Sequence, residues 1–255
     1  MTRMSEPGGA PNPRATMARR ASGLAILVGI LGLVAWIFGR GVRSRAEPPP
    51  VGAEPVGSAR ESYSLEDRRT LLKLARGSLE QVVREGRVPE PPPALPPHLM
   101  ADKGCFVTLT KGGALRGCIG HIFPEESLAL AVIHNARSAA LHDSRFTPVT
   151  PDELGQIEVE VSVLSVPRPL EFSSPEDLLA KLRPHQDGVV LTVGGRRATF
   201  LPQVWEQLPV AETFLDHLAA KAGLRPTAWR EPGTRIMIYH VEAFHESELG
   251  LGERG

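Results

Sequence analysis

The residues best suited to chemistry in this 255-residue chain lie in one short run, Arg116-Gly117-Cys118-Ile119-Gly120. Residues two apart in a strand share a face, so Arg116 would stand beside Cys118 and favour its thiolate. The two glycines remove side-chain cover and would let another group approach the backbone closely. One interpretation is a nucleophilic or carrier thiol with Arg116 as anion holder. The other is a small buried side chain in a sheet whose glycines make room for a helix.

Four further charged residues are candidates for the same site. Asp143 and Arg145 follow a predicted helix, in a loop where turns can aim polar groups at a site. The alternative for them is an ion pair that fixes the loop. Glu158 and Glu160 share the polar face of a predicted strand, where paired carboxylates can do acid–base work or bind a metal. The alternative is that they are solvent-facing acids.

The histidines and cysteines predict no metal site. None of the eight histidines has the spacing of a zinc ligand pair, and no Cys-x-x-Cys pair is present. His121 lies three residues after Cys118 and would serve as its base only if the chain turned at Gly120, because the two otherwise point to opposite faces of a strand. In a simple hairpin register Cys105 would lie almost opposite Cys118, which would permit a disulfide outside the cytosol.

Strands and helices must position these residues. The run lies in a predicted hairpin whose turn is Lys111-Gly112-Gly113, because glycines tolerate a positive φ. Ser64 is placed to cap a helix with apolar residues at helical spacing. The segments predicted as strands are 106–109, 115–119, 157–164, 188–193, 197–201 and 234–244. The segments predicted as helices are 65–83, 128–141, 175–182 and 210–223, with short helix starts at 151 and 202.

The N-terminal sixty residues form no part of this domain. Residues 1–20 are rich in Pro, Gly and Arg and are predicted to be disordered. Residues 21–38 carry no charge and approach the ~20 apolar residues that cross a bilayer, so one uncleaved transmembrane helix is predicted. A signal peptide cleaved near Ser44-Arg45-Ala46 is the alternative. Residues 39–60 are predicted as a Pro/Gly-rich linker, 61–246 as the folded domain and 247–255 as a disordered tail.

The predicted hairpin run resembles the signature of the AMMECR domain family, and further segments are similar to that family in the same order. These segments are 115–120, Asn135-Ala136, Ala139-Ala140, 143–146 with Pro148, 157–164 and 198–205. The resemblance implies an α+β domain with a larger and a smaller subdomain. With the hairpins above, we expect a mainly antiparallel sheet with flanking helices, preceded by one transmembrane helix.

The resemblance also bears on the site and on partners. It adds Asn135 to the predicted binding residues Gly117, Gly120, Asp143, Arg145, Glu158 and Glu160, beside the catalytic candidates Arg116 and Cys118. Prokaryotic members are often encoded beside a Memo-like protein and a radical-SAM protein, which are therefore the expected partners. Soluble members of the family favour a cytoplasmic position for the domain. The family implies no settled reaction, and no cofactor is predicted.

Charge and motifs exclude several function classes. The chain has 29 basic and 29 acidic residues, so it lacks the general electrostatic footprint of a nucleic-acid-binding protein. It contains no Walker loop, dinucleotide fingerprint or nucleophile elbow. Two interpretations remain: an enzyme or enzyme subunit that uses the 116–120 run, and a binding module that docks a partner through it.

Overall fold

The computed structural model describes residues 62–251. The predicted disordered segment 1–20, transmembrane helix 21–38 and linker 39–60 lie outside these residues. Among residues 62–251, no helix is long and apolar enough to cross a membrane. The structure extends into the predicted tail, because Ser247–Leu249 form a 3₁₀ turn and Leu251 packs against the core.

The described domain is α+β, as predicted, and contains two four-stranded antiparallel sheets. The helices are α1 (Leu65–Glu85), α2 (Leu128–Leu141), α3 (Pro175–Lys181) and α4 (Ala211–Lys221). The strands are β1 (Cys105–Lys111), β2 (Ala114–His121), β3 (Ile157–Leu164), β4 (Arg168–Pro169), β5 (Gly188–Val193), β6 (Arg196–Phe200), β7 (Arg235–Tyr239) and β8 (Val241–His245). The described residues before Ser247 also contain four 3₁₀ turns, which are Pro97–Met100, Pro151–Gln156, Pro202–Glu206 and Pro226–Arg230.

The first sheet has the strand order β2-β1-β3-β8 and holds the predicted hairpin. Helix α2 packs on β1 and β2, and α1 packs on α2 and β3. Their apolar faces form one core with the inner face of the sheet, centred on Leu72, Leu79, Val107 and Val161. Helix α1 begins where the sequence predicted, because the side chains of Ser64 and Asp67 each accept a backbone N–H from the other residue.

The second sheet has the order β4-β7-β5-β6 and its own core. Helices α3 and α4 contribute Leu178, Phe214 and Leu218 to that core. Trp205 is fully buried there and its ring stacks on Phe214 with a centroid separation of 3.7 Å. Trp205 is therefore a core residue of the second sheet.

The predicted closing strand 234–244 is in fact two strands in different sheets. Strand β7 pairs in the second sheet and β8 pairs in the first, and His240 makes the connection. The chain also crosses between the sheets just after β3, where Ser165 donates its N–H to the carbonyl of His240 at 3.0 Å. The prediction of one strand was wrong because the alternation of residue types continues across the crossing.

A third apolar cluster joins the two sheets. Phe106, Cys118 and Leu164 of the first sheet meet Val190 and Tyr239 of the second. The sheets therefore share a buried junction on the face of the first sheet that lies opposite its helices. Cys118 is part of that junction.

Candidate functional site

The thiol of Cys118 is enclosed by the protein. The residue is 2% exposed, and the Thr108 hydroxyl lies 3.3 Å from Sγ, close enough to donate a hydrogen bond. Burial raises the pKa of the Cys118 thiol to about 12. The expectation of a thiolate favoured by Arg116 is thus contradicted by the environment of the folded state.

Arg116 is directed away from the thiol by an irregularity in the strand. Gly117 pairs with Leu109 and Leu115 pairs with Thr110, which leaves Arg116 as an extra residue without a cross-strand partner. Its guanidinium instead makes two bonds to the Glu153 carboxylate, at 3.0 and 2.9 Å, and donates to the carbonyls at 147 and 148. The hydrogen bonds that the Glu153 carboxylate accepts, first from Arg116 and then from the N–H of Thr150, hold the pKa of Glu153 well below its usual range.

Asp143 and Arg145 bind the backbone of the motif. Asp143 Oδ2 accepts the N–H of Cys118 at 2.9 Å, and Arg145 donates to the carbonyl of Cys118 at 3.3 Å. Arg145 also donates to Asp143 Oδ1 at 2.9 Å, so the ion pair spans the open edge of β2. Burial opposes ionisation of Asp143, but these hydrogen bonds outweigh it and keep its pKa below the usual range.

Both glycines of the motif are required by internal packing. A Cβ at Gly117 would lie 2.2 Å from the carbonyl oxygen of Ala139 in α2. A Cβ at Gly120 would lie 2.3 Å from the carbonyl oxygen of Cys105 and 2.4 Å from the ring of Phe106. The groups that approach this backbone are therefore the protein's own helix and its neighbouring strand, as the structural interpretation of the glycines expected.

The remaining family positions also have internal contacts. Asn135 is 1% exposed and donates from Nδ2 to the carbonyl of Cys105 at 3.1 Å.

The two cysteines are not opposite each other in the hairpin. Cys105 pairs with His121 and Cys118 pairs with Thr108, and both cysteines are free thiols. Strand β2 continues to His121 without a turn at Gly120, which removes the condition under which His121 would serve as a base for Cys118.

A polar row crosses the first sheet from the buried thiol. In register, Cys118 pairs with Thr108, Thr108 with Glu160, and Glu160 with His245. Residues directly opposite each other in a sheet point to the same face, so all four side chains lie on the face away from the helices. Glu160 Oε2 lies 3.4 Å from Nε2 of His245, and Ser162 donates to Glu160 Oε1 at 2.8 Å.

The members of this row differ in exposure. Cys118 is buried, whereas Thr108, Glu160 and His245 are partly exposed. Glu158 lies on the same face but bonds to Ser247, so the two strand acids have different partners and do not form a carboxylate pair. The row therefore begins at the buried motif cysteine and brings three hydrogen-bonding side chains to solvent beside it.

Thr108, Ser162 and His245 were not among the predicted site residues. The available signal was the alternation within each strand, which places Ser162 on the face of Glu160. Thr108 and His245 depend on register between strands far apart in the chain, which one sequence does not supply. No group of three or more His, Cys, Asp or Glu side chains among residues 62–251 is placed to hold a metal ion.

Comparison with known proteins identifies the family. A family model described as AMMECR1 matches residues 72–244. The chain belongs to the AMMECR1 family. The resemblance predicted from the motif is therefore confirmed, and the AMMECR1 match includes the motif, the Asp143 loop and both sheets.

Relatives of this AMMECR1 protein cover the same region. A protein of Methanothermobacter thermautotrophicus is 43% identical over 188 residues, which span 72% of this chain and 96% of the relative. A protein of Thermofilum pendens is 39% identical over 199 residues, spanning 72% of this chain and 92% of the relative. An uncharacterized protein from Pyrococcus horikoshii, known from a crystal structure, is 36% identical in sequence and matches this fold with a TM-score of 0.64. The match covers 70% of this chain and 90% of the Pyrococcus horikoshii chain. These comparisons establish the family and the fold.

Proposed function

We propose that this AMMECR1 protein is a binding subunit that docks a protein partner through the partly exposed polar face of its first sheet. The observation that carries the proposal is the polar row beside the motif. Thr108, Glu160 and His245 lie in register on the face of the first sheet that carries the junction, and all three side chains are partly exposed. Such a face offers donors and acceptors to a partner without exposing the core.

The motif supports docking rather than covalent chemistry in this proposal. A thiolate is the nucleophilic form of cysteine, and a thiol with a pKa of about 12 supplies almost none of it at neutral pH. The side chains of Arg116, Asp143 and Arg145 are occupied by bonds within the domain. We infer that the motif fixes the strand and junction, and that the adjacent polar row makes the contact.

The partners in this proposal follow from the family resemblance. Memo-like and radical-SAM proteins are the candidates, because prokaryotic members are often encoded beside them. Residues 21–38 would anchor the protein to the membrane as a single span, with the domain on the cytoplasmic side. Anchoring would concentrate the subunit and its partners at the bilayer.

Association with each candidate partner tests the proposal. The purified protein is titrated with the Memo-like and the radical-SAM protein in separate calorimetric experiments. We expect one of them to bind, and we expect Glu160→Ala and His245→Ala each to weaken binding at least tenfold. Both substituted side chains are partly exposed, so the thermal midpoint should stay close to that of the wild type.

Matched controls separate this surface from a general effect of charge. Glu231→Ala removes a carboxylate that pairs with Arg225, outside the polar row. His217→Ala removes an exposed imidazole from α4. Neither control should change the affinity. Absence of binding to both partners, or equal weakening by the controls, would overturn the docking proposal.

An enzymatic role is the second candidate, favoured by the contact between Glu160 and His245. A carboxylate beside an imidazole can orient the ring and stabilise its protonated form during acid–base catalysis. The substrate would then lie over Thr108, next to the junction. This alternative predicts that His245→Ala abolishes conversion of the substrate but leaves the affinity for the protein partner unchanged. The docking proposal predicts instead that His245→Ala weakens that affinity.

A further inference from the structure

A second cross-strand row, on the other sheet, carries two arginines around a threonine. Thr192 of β5 is directly opposite Arg197 of β6 and also directly opposite Arg235 of β7. Directly opposite residues share a face, so the three side chains lie together. Val190 and Met237, two residues from Thr192 and Arg235, contribute to the cluster that joins the sheets. The row therefore lies on the face turned toward the first sheet, just beyond the junction.

The charge of this row is not neutralised within the described part of the chain. No carboxylate of residues 62–251 forms an ion pair with Arg197 or Arg235, whereas Arg225 pairs with Glu231 at 3.0 Å. Both arginines of the row are exposed. Two uncompensated guanidinium groups on one small surface favour an anion between them.

The geometry of the row is suited to one oxyanion. Adjacent strands lie roughly 4.8 Å apart, so the backbones of Arg197 and Arg235 are separated by about 10 Å, which two arginine side chains can close. The guanidinium of Arg197 lies 5.1 Å from the ring centre of Phe123, which restricts its position beside the junction. Its Nε donates to the Thr192 hydroxyl at 3.4 Å, so that hydroxyl keeps its own proton to donate to a ligand.

We propose that Arg197, Thr192 and Arg235 form a binding site for the phosphoryl group of a small ligand. A guanidinium presents paired N–H donors that match phosphate oxygens, and the hydroxyl between the two arginines adds a third donor. The bound group would lie over Thr192, on the face of the second sheet that carries the junction. This site lies on a different sheet from the proposed docking face, uses none of its residues and goes beyond that function.

Titration with inorganic phosphate tests the site in the purified full-length protein. The amide signal of Thr192 is followed by NMR at constant ionic strength, and a saturable shift is expected. Arg197→Ala and Arg235→Ala should each weaken phosphate binding at least tenfold, and Thr192→Val should also weaken it about tenfold, as expected for one lost hydrogen bond to a charged acceptor. Arg235→Lys, which keeps the charge but loses the paired donors, should recover part of the affinity.

Controls decide whether the effect belongs to this row and to this chemistry. Arg225→Ala removes an exposed arginine elsewhere and should leave phosphate binding unchanged. Acetate at the same concentrations should bind at least tenfold more weakly than phosphate. The proposal is overturned if phosphate does not saturate, if Arg225→Ala weakens binding as much as the row variants, or if acetate binds equally well. The Glu160→Ala variant should bind phosphate normally, so failure of this site and failure of the docking proposal are distinguishable.

Discussion

Asp143 accepts the backbone N–H of Cys118 at 2.9 Å, on the outer edge of strand β2. Arg145 donates to the carbonyl of the same residue, so one ion pair satisfies both outward backbone groups of Cys118. An open strand edge otherwise presents unpaired groups to other chains. The loop after α2 therefore covers the edge of the first sheet at Cys118. The thiol of the same residue packs in the junction between the sheets.

Removal of the Asp143 carboxylate should destabilise the fold severely. In Asp143→Ala the Cys118 N–H loses its acceptor and the partly buried Arg145 loses its counter-ion. Breaking a buried ion pair by removing one partner typically costs about 3–5 kcal/mol. Urea unfolding at pH 7 measures the change. Asp177→Ala, which breaks a more exposed pair with Lys181, should cost much less than Asp143→Ala, and an equal loss in both variants would refute the role of the edge pair.

Gly117 should not accept a methyl group. The Cβ of Gly117→Ala would lie 2.2 Å from the Ala139 carbonyl oxygen, so α2 must move away from β2. Overpacking of this kind costs about 1–3 kcal/mol or more. Gly155→Ala is the matched control, because nothing lies within 4 Å of the added Cβ there. Thermal midpoints compare the two, and a Gly117→Ala protein as stable as the Gly155→Ala protein would show that the helix contact is not tight.

The local elements of this fold were predictable because their signals are short-range. The capping pair Ser64 and Asp67 lies within one turn, and the glycines at 112 and 113 adopt the positive φ that the first hairpin needs. The second hairpin turns at Gly194 and Gly195 in the same way. Each of these features depends on neighbouring residues alone, so one sequence is sufficient to find it.

The site was less predictable because its contacts join distant segments. The partner of Arg116 is Glu153, thirty-seven residues later, and the bulge that aims Arg116 there is a property of strand pairing. The division of 234–244 at His240 depends on which sheet each half joins. Burial of Cys118 follows from the junction between the sheets, which needs both sheets in place. Such facts depend on tertiary packing rather than on sequence pattern.

The two thiols should react only after the protein opens. Cys105 and Cys118 are buried, and burial raises the pKa of each thiol to about 12. Alkylation by iodoacetamide at pH 8 should therefore be slow and should accelerate with urea in parallel with unfolding, when measured by mass spectrometry in Cys105→Ala and Cys118→Ala proteins. Rapid labelling of native Cys118 with an apparent pKa below 9 would restore the nucleophile interpretation.

The same burial makes stability depend on alkaline pH. A thiol whose folded pKa is raised stabilises the fold fully below the unfolded value of 9.0 and loses this contribution as the pH rises toward 12. The free energy of unfolding should therefore fall between pH 9 and pH 11. A Cys105→Ala, Cys118→Ala double variant should show a shallower fall over that interval. A slope equal to that of the wild type would mean that other groups, and not these thiols, control alkaline stability.

The pair formed by Arg116 and Glu153 should make stability depend on acid pH. The folded pKa of Glu153 is depressed, mainly by Arg116 and by the N–H of Thr150, so its contribution is fully present above the ordinary value of 4.5. That contribution is lost as the pH falls below this value. Glu153→Gln should therefore lower the free energy of unfolding at pH 7 by about 1.5–3 kcal/mol, the usual range for hydrogen bonds to a charged group. Urea unfolding at pH 7, 5 and 3 should show the difference shrinking at pH 3, and a difference that stays constant across these pH values would exclude a charged Glu153 as its source.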